Sequence, residues 1–359
     1  MLESFIGKSM YDLDTPSLII DIGIAKKNIK MMADYFKDRP CQVRPHTKTH
    51  KLPYIAHLQI EAGAMGVTCA RLSEAQIFMQ HGIKDILLAN QVVGKAKLQR
   101  LVGISQMGDI TICLDSLGNA KEISEIAGQA EQKINVLVEV DVGLNRCGVE
   151  PGKAVLDFTK EILSLPNLNF RGLIGYEGSV SIDDDSEKLA KVKESNSKLA
   201  DSKKLLVQDG IDVMWTSAGG SNTYEITGNN PEISDVQVGS YVTMDLYNTK
   251  HGQKFDQALY VLTTVISKTP KTAVTDAGQK SISYDLGMPE IHGREDAEIY
   301  ALNEEHGRLN HNGTLTVGEK LLTVPWHGCT TVGMYDWVAL INNKTVIDIL
   351  PVVARGACL

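Results

Sequence analysis

The sequence predicts an α/β protein whose residues 20–247 form a (β/α)8 barrel of the TIM type, followed from 248 onward by an antiparallel β domain. Three observations predict it. Eight nearly continuous apolar runs alternate with stretches of helical spacing, the pattern of strands buried on both faces. Polar residues recur just past strand after strand, at Lys48, Asn90, Asp115, Arg146, Tyr176 and Ser217. Beyond Tyr247 the helical spacing stops, and short β-branched runs separated by Gly, Pro and Asn take over.

In chain order, Thr15-Pro16 opens a strand over Ser17 to Asp21, and helical spacing follows from Ile24 to Phe36. The eight barrel strands are expected at 41–44, 66–70, 85–90, 110–115, 135–142, 171–175, 213–217 and 236–242. A doubly wound open sheet is the competing arrangement, but it would string the polar residues along an edge, whereas a barrel gathers them at one mouth. The β domain is expected to hold strands at 261–267, 272–275, 281–285, 298–302, 320–324, 337–341 and 345–350.

Composition narrows the function. Apolar residues make up 43% and charged residues 22% of the 359, which is ordinary globular usage. A net charge of −8 argues against a nucleic-acid partner, because phosphate binding needs a basic excess. The N-terminus lacks a basic segment followed by an apolar run, and no window approaches the ~18 apolar residues of a membrane span. The six cysteines are scattered without a CxxC pair, so free thiols in a reducing cytoplasm are expected.

The densest chemistry lies in Arg44-Pro45-His46-Thr47-Lys48-Thr49-His50-Lys51, directly after a short apolar run. A strand's carboxyl end is where α/β proteins carry function. Lys48 sits among His46, His50 and His57 and behind Arg44, a positive setting that favours the neutral, nucleophilic amine. A basic surface loop would read the same from composition alone. The run P-H-x-K-T-H-K resembles the cofactor-lysine segment of the D-threonine aldolase and D-serine dehydratase family, pyridoxal-phosphate enzymes of the alanine racemase type. The resemblance extends from Asp14-Thr15-Pro16 to Val353-Ala354-Arg355-Gly356. It implies that Lys48 is the catalytic lysine holding the cofactor, that residues 1–19 join the β domain, and that the enzyme is a homodimer.

Three further runs carry chemistry. Val138 to Val149 is a strand ending in a glycine-bounded loop that presents Arg146, whose fork suits a buried anionic group; a strand-capping arginine is the plainer alternative. The resemblance places Arg146 against the cofactor's phenolic oxygen. Gly172 to Gly178 puts Tyr176 at a strand end, where the dehydratase branch has a tyrosine on the pyridine nitrogen; otherwise it is a core tyrosine. Thr216 to Thr223 combines small hydroxyls with two glycines at a place where barrels bind phosphate. The resemblance assigns Ser217, Gly219, Gly220, Ser221 and Thr223 to the cofactor there.

In the β domain, Val324-Pro325-Trp326-His327-Gly328-Cys329 follows an apolar run. On an extended segment His327 and Cys329 point to one side and could share an ion, with open positions left for water or substrate. Imidazole with thiolate suits zinc, with manganese and magnesium as alternatives, and the resembled family has a metal pair here. Cysteine as second ligand is the dehydratase form and aspartate the aldolase form, while Asn90 to Gly94 and Val140 to Gly152 resemble low-specificity D-threonine aldolases. Ser179 stands where many of those relatives have histidine. The expected function is a lyase on D-3-hydroxy amino acids, D-threonine aldolase or D-serine or D-3-hydroxyaspartate dehydratase, with an amino-acid racemase as the metal-free alternative.

Overall fold

The computed structural model describes residues 2–178 and 185–358. Ser179 lies outside them. The chain divides into two compact units, one of residues 32–48, 53–239 and 357–358, the other of residues 2–31, 49–52 and 240–356.

Chain order begins with β1 (Ser17–Asp21) and α1 (Ile22–Phe36). The first unit then alternates β2 (Gln42–Val43), α2 (Pro53–Glu61), β3 (Val67–Cys69), α3 (Leu72–Gln80), β4 (Asp85–Leu88), α4 (Lys95–Ser105), β5 (Asp109–Leu114) and α5 (Leu117–Gln129). It continues through β6 (Ile134–Glu139), α6 (Lys153–Leu163), β7 (Leu168–Ile174), α7 (Asp185–Gln208), β8 (Trp215–Ala218), α8 (Tyr224–Thr227) and β9 (Asp235–Val236). These eight strands are all parallel, in the order β2-β9-β8-β7-β6-β5-β4-β3. The two end strands meet through a parallel bridge between His46 and Thr68, supported by Met65 N–H on Val43 O at 3.1 Å, and this closes the barrel. Strands β5 and β8 are buried almost throughout, as strands covered on both faces must be.

The observed strands are mostly shorter than their apolar runs. β6 stops at Glu139 because the chain doubles back, Val140 bridging Val149 to close the loop 141–148. Ser217 lies inside β8 rather than past its end.

The second unit carries β1, α9 (Leu246–Lys250), β10 (Leu259–Lys268), β11 (Thr272–Thr275), β12 (Glu290–Ile291), β13 (Ala297–Leu302), β14 (Gly307–His311), β15 (Lys320–Val324), α10 (Gly328–Val332), β16 (Trp337–Asn342) and β17 (Thr345–Pro351). β1 pairs antiparallel with β10 and parallel with β16, so the N-terminal strand belongs to this mostly antiparallel sheet. Two apolar clusters hold it, one around Ile19, Leu262 and Ile341 and the other around Val265, Leu309 and Leu321.

Two differences from the sequence reading matter. Residues 281–285 form a loop instead of a strand: Ile282 N–H goes to Gly278 O and Ser283 N–H to the Thr331 hydroxyl, so no ladder forms. β14, whose Gly-Arg-Leu-Asn-His lacks β-branched residues, forms a hairpin with β13 that the β-propensity pattern missed.

Candidate functional site

Because the barrel strands are parallel, the segments after β2, β6, β7 and β8 leave from one rim, and these carry Lys48, Arg146, Tyr176 and Gly219. Lys48 is exposed on a single turn, Thr47–Thr49, whose neighbours are buried. Its backbone is pinned. His46 N–H binds Val238 O at 2.8 Å, the Thr47 hydroxyl donates to Thr68 O at 3.1 Å and to Glu74 at 3.3 Å, and Lys48 N–H meets His46 Nδ1 at 3.4 Å. A flexible amine on a fixed turn suits a lysine that must form and release a covalent bond.

The positive setting expected around Lys48 needs correction. Arg44 is 1% exposed, its Nε 3.2 Å from Asp235 and its Nη1 2.6 Å from Asp85, with its guanidinium stacked 4.4 Å from the Trp215 ring centre. Two carboxylates answer its charge. His57 lies on α2 with Nε2 2.8 Å from His81 O, so it serves that turn instead.

The Arg146 loop is built by glycine. Gly148 has φ +115°, and a Cβ there would come within 2.5 Å of Asp141 N. Asp141 accepts from Gly143 and Asn145 N–H at 2.9 and 3.0 Å, and Gly148 N–H reaches Asp115 at 3.0 Å. Arg146, half exposed, lies 4.0 Å from Glu139 and 5.4 Å from the Tyr176 ring centre. Glu139 is buried, and that burial holds its carboxyl above the usual range against the opposing pull of Gln91 and Arg146. Gln91 Nε2 donates to Glu139 at 2.5 Å and to Asp115 at 3.2 Å, so three strand ends are tied together. The sequence reading assigned no role to Gln91 or Glu139.

Tyr176 stands between this loop and the glycine loop. A Cβ on Gly178 would strike its ring at 2.1 Å, and one on Gly220 would touch the ring edge at 3.5 Å. Gly219 takes φ +79° and donates to buried Glu177 at 3.1 Å. Glu177 also accepts from Thr223 at 2.8 Å and Thr227 at 2.7 Å, while Gly220 N–H goes to Thr223 Oγ1 at 3.0 Å. The Ser217 hydroxyl donates to Asp235 and accepts from Gln237 at 3.0 Å. Ser217, Gly219 and Thr223 therefore shape the loop through carboxylates inside the protein. Ser221 Oγ accepts from Gly239 N–H at 3.1 Å. A flat ring against Arg146 and Tyr176 fits this surface, with the side-chain-free Gly220 leaving its edge open beside the Tyr176 ring.

His327 and Cys329 meet differently from the sequence expectation. His327 is extended and precedes α10, so the pair sits at a helix start rather than along a strand. His327 Nδ1 is 2.9 Å from Asp285 Oδ2 and 3.1 Å from the Thr330 hydroxyl, and Cys329 Sγ is 3.8 Å from Thr49 Oγ1. Asp245 fixes the turn: buried, it caps α9 through Asn248 N–H at 3.0 Å and accepts Gly328 N–H at 2.8 Å. Among the described residues no group of three or more His, Cys, Asp and Glu is arranged to hold a metal. An imidazole in contact with a thiol nevertheless fits a two-ligand open site, with water and substrate completing the shell.

Contact with Cys329, and then with Asp285, pushes the His327 imidazole up from 6.5 to about 9. Its folded value is raised, so the stability it contributes is complete below pH 6.5 and lost as pH climbs through about 9. Without added metal, the melting temperature of the protein should fall across that window, and His327→Ala should flatten the fall. Thermal melts at intervals of pH check it.

Comparison with known proteins closes the assignment. Residues 20–246 match the family model of the alanine racemase N-terminal domain, and residues 258–341 match that of a serine dehydratase domain. The chain is 34% identical to a 3-hydroxy-D-aspartate aldolase of Paracoccus denitrificans, over 98% of its own length and 94% of the relative's. It is 35% identical to a D-threonine aldolase of Arthrobacter, over 98% and 95%. A D-threo-3-hydroxyaspartate dehydratase of Delftia is 26% identical, over 90% and 93%. The crystal structure of a D-threonine aldolase from Filomicrobium marinum superposes with a TM-score of 0.95 at 33% identity, covering 99% of this chain and 98% of that one. Fold and rim thus define a lyase of the alanine racemase structural type. The chain belongs to the D-threonine aldolase and D-serine dehydratase family, and pyridoxal phosphate is the cofactor that membership implies. No helix among the described residues is long and apolar enough to cross a membrane.

Proposed function

We propose that the protein is a pyridoxal-phosphate- and divalent-metal-dependent lyase of D-3-hydroxy amino acids, of the aldolase type, cleaving D-threonine to glycine and acetaldehyde. The observation that carries it is the higher identity to the two aldolases, 34% and 35% over 98% of the chain, against 26% to the dehydratase. Bound pyridoxal phosphate supplies an electron sink beside the substrate's Cα. Lys48 would hold the cofactor through its amine, and the same amine could accept or return a proton at the substrate's Cα. Arg146 steadies the phenolic oxygen, with Glu139 and Gln91 behind it. Tyr176 would face the ring nitrogen as a phenol, a weaker partner for that nitrogen than a carboxylate. The glycine loop from Gly219 to Thr223 would take the phosphate, as the family resemblance assigns. His327 and Cys329 would hold a zinc, manganese or magnesium ion, which would supply Lewis-acid polarisation of the substrate hydroxyl. Transfer of the hydroxyl proton to a base would break Cα–Cβ and release an aldehyde, and a proton returned to Cα by Lys48 would complete glycine.

Cys329 favours a second outcome, because cysteine is the dehydratase form of the metal pair. There Lys48 takes the α-proton, hydroxide leaves, and the product hydrolyses to an oxo acid and ammonia. Incubation with D-threonine, D-serine and D-3-hydroxyaspartate, with and without added metal, separates the two. Acetaldehyde or glyoxylate with glycine supports the aldolase, whereas pyruvate or oxaloacetate with ammonia replaces it by the dehydratase. Chelation should abolish either activity, and full activity after exhaustive chelation would point to a racemase. We propose also that the enzyme is a homodimer, for which light scattering should give twice the chain mass.

Glu139→Gln is expected to leave the melting temperature unchanged or higher, since burial disfavours the charged carboxylate and an amide oxygen can still accept from Gln91. Titration with pyridoxal phosphate should show weaker binding by no more than about 1 kcal/mol, because Arg146 is half exposed and the pair is long.

A further inference from the structure

The loop 281–288 was expected to be a strand, and its actual course brings a carboxylate to His327. The loop is docked from two sides. Ser283 N–H donates to the Thr331 hydroxyl at 3.1 Å, and Thr331 itself bonds His327 O at 3.0 Å. At the far end Gly287 packs so closely on Trp326 that a Cβ would come within 2.5 Å of the indole. Between these anchors Asp285 is held by the Ser283 hydroxyl on Oδ1, and its Oδ2 takes His327 Nδ1 at 2.9 Å and the Thr330 hydroxyl at 3.2 Å. Imidazole has its two nitrogens on opposite sides of the ring, so a carboxylate on Nδ1 leaves Nε2 as the ligand atom.

We propose that Asp285 is a positioning residue for the metal: it keeps the proton of His327 on Nδ1, orients the ring, and makes Nε2 the atom offered to the ion. This deepens the proposed function and rests on its metal pair. Asp285 acts through His327 and is not itself a ligand, in keeping with the absence of a three-ligand group among the described residues. A carboxylate behind a ligating histidine raises the basicity of the ligand, and losing such a partner typically costs 10- to 100-fold in metal affinity.

The test is zinc affinity, measured on the holoenzyme stripped of metal by competition with a chromophoric chelator, for wild type and for Asp285→Ala, Asp285→Asn and His327→Ala. Asp285→Ala is expected to bind zinc about 10- to 100-fold more weakly. Asp285→Asn keeps the shape and an acceptor oxygen, so it should fall between alanine and wild type, and it remains informative should the alanine variant fold poorly. Lyase activity of both variants should be low at limiting zinc and recover at saturating zinc, because the ligands are intact. Wild-type affinity in both variants, alongside lost binding in His327→Ala, overturns the inference and leaves the metal pair standing. Activity that stays lost at saturating zinc with wild-type affinity overturns it too, assigning Asp285 to the substrate. No zinc binding by the wild type removes the metal pair, and the inference with it.

Discussion

Lys48→Ala is expected to lower lyase turnover by at least about 1,000-fold, because on the proposed function it removes both the amine that holds the cofactor and a proton carrier beside the substrate's Cα. The side chain is exposed while the turn beneath it is pinned by His46 and Thr47, so the variant should fold normally, within about 0.5 kcal/mol of wild type. Two readouts accompany the rate: the visible absorption of the bound cofactor should disappear, and the thermal melt should not move. Lys51→Ala is the control. Lys51 is the other amine of the same segment, and its loss should leave turnover within a few-fold of wild type. Equal damage from both substitutions would mean that the segment acts through its charge.

Asp235→Ala should produce the largest loss of stability, about 3–5 kcal/mol, with a lowered urea midpoint as the measurement. Asp235 is fully buried and receives Arg44 Nε at 3.2 Å, the Trp215 indole N–H at 2.5 Å and the Ser217 hydroxyl. Burial raises its carboxyl above the ordinary range, while Arg44 and the hydrogen bonds from Ser217 and Trp215 pull the other way. Removing it leaves a guanidinium at 1% exposure, an indole N–H and a hydroxyl to find new partners. Asp85→Ala should cost far less: that carboxylate is 45% exposed, and Asp235 still answers Arg44 in its absence. If the two substitutions cost the same, the buried network is not what secures the first barrel strand.

What the sequence disclosed and what it hid follow from how far apart the partners lie. Lys48 and the Arg146 loop are legible because their signals are local: a dense polar run after a short strand, and glycines where the backbone must turn. The eight-strand rhythm is legible for the same reason, each strand being its own apolar run. Arg44 was misread as a free cation because its two partners stand 41 and 191 residues away in the chain. The carboxylates behind the glycine loop and behind Arg146 were hidden likewise. Glu177 and Glu139 sit in segments that were singled out, yet nothing in their spacing says that one faces Thr223 and the other Gln91. Asp285 escaped notice because Ser-Ile-Ser-Tyr-Asp alternates like a strand, whereas its backbone hydrogen bonds go to a helix and a turn. β14 was lost because its burial alternates without β-branched side chains to announce it.

The central claim is that the amine of Lys48 carries pyridoxal phosphate. Borohydride reduction of the purified holoenzyme, followed by proteolysis and mass spectrometry, reads out the attachment site directly. A phosphopyridoxyl group found on Lys48 alone is the predicted result; a label on Lys51 or elsewhere, or none on an active enzyme, would contradict it.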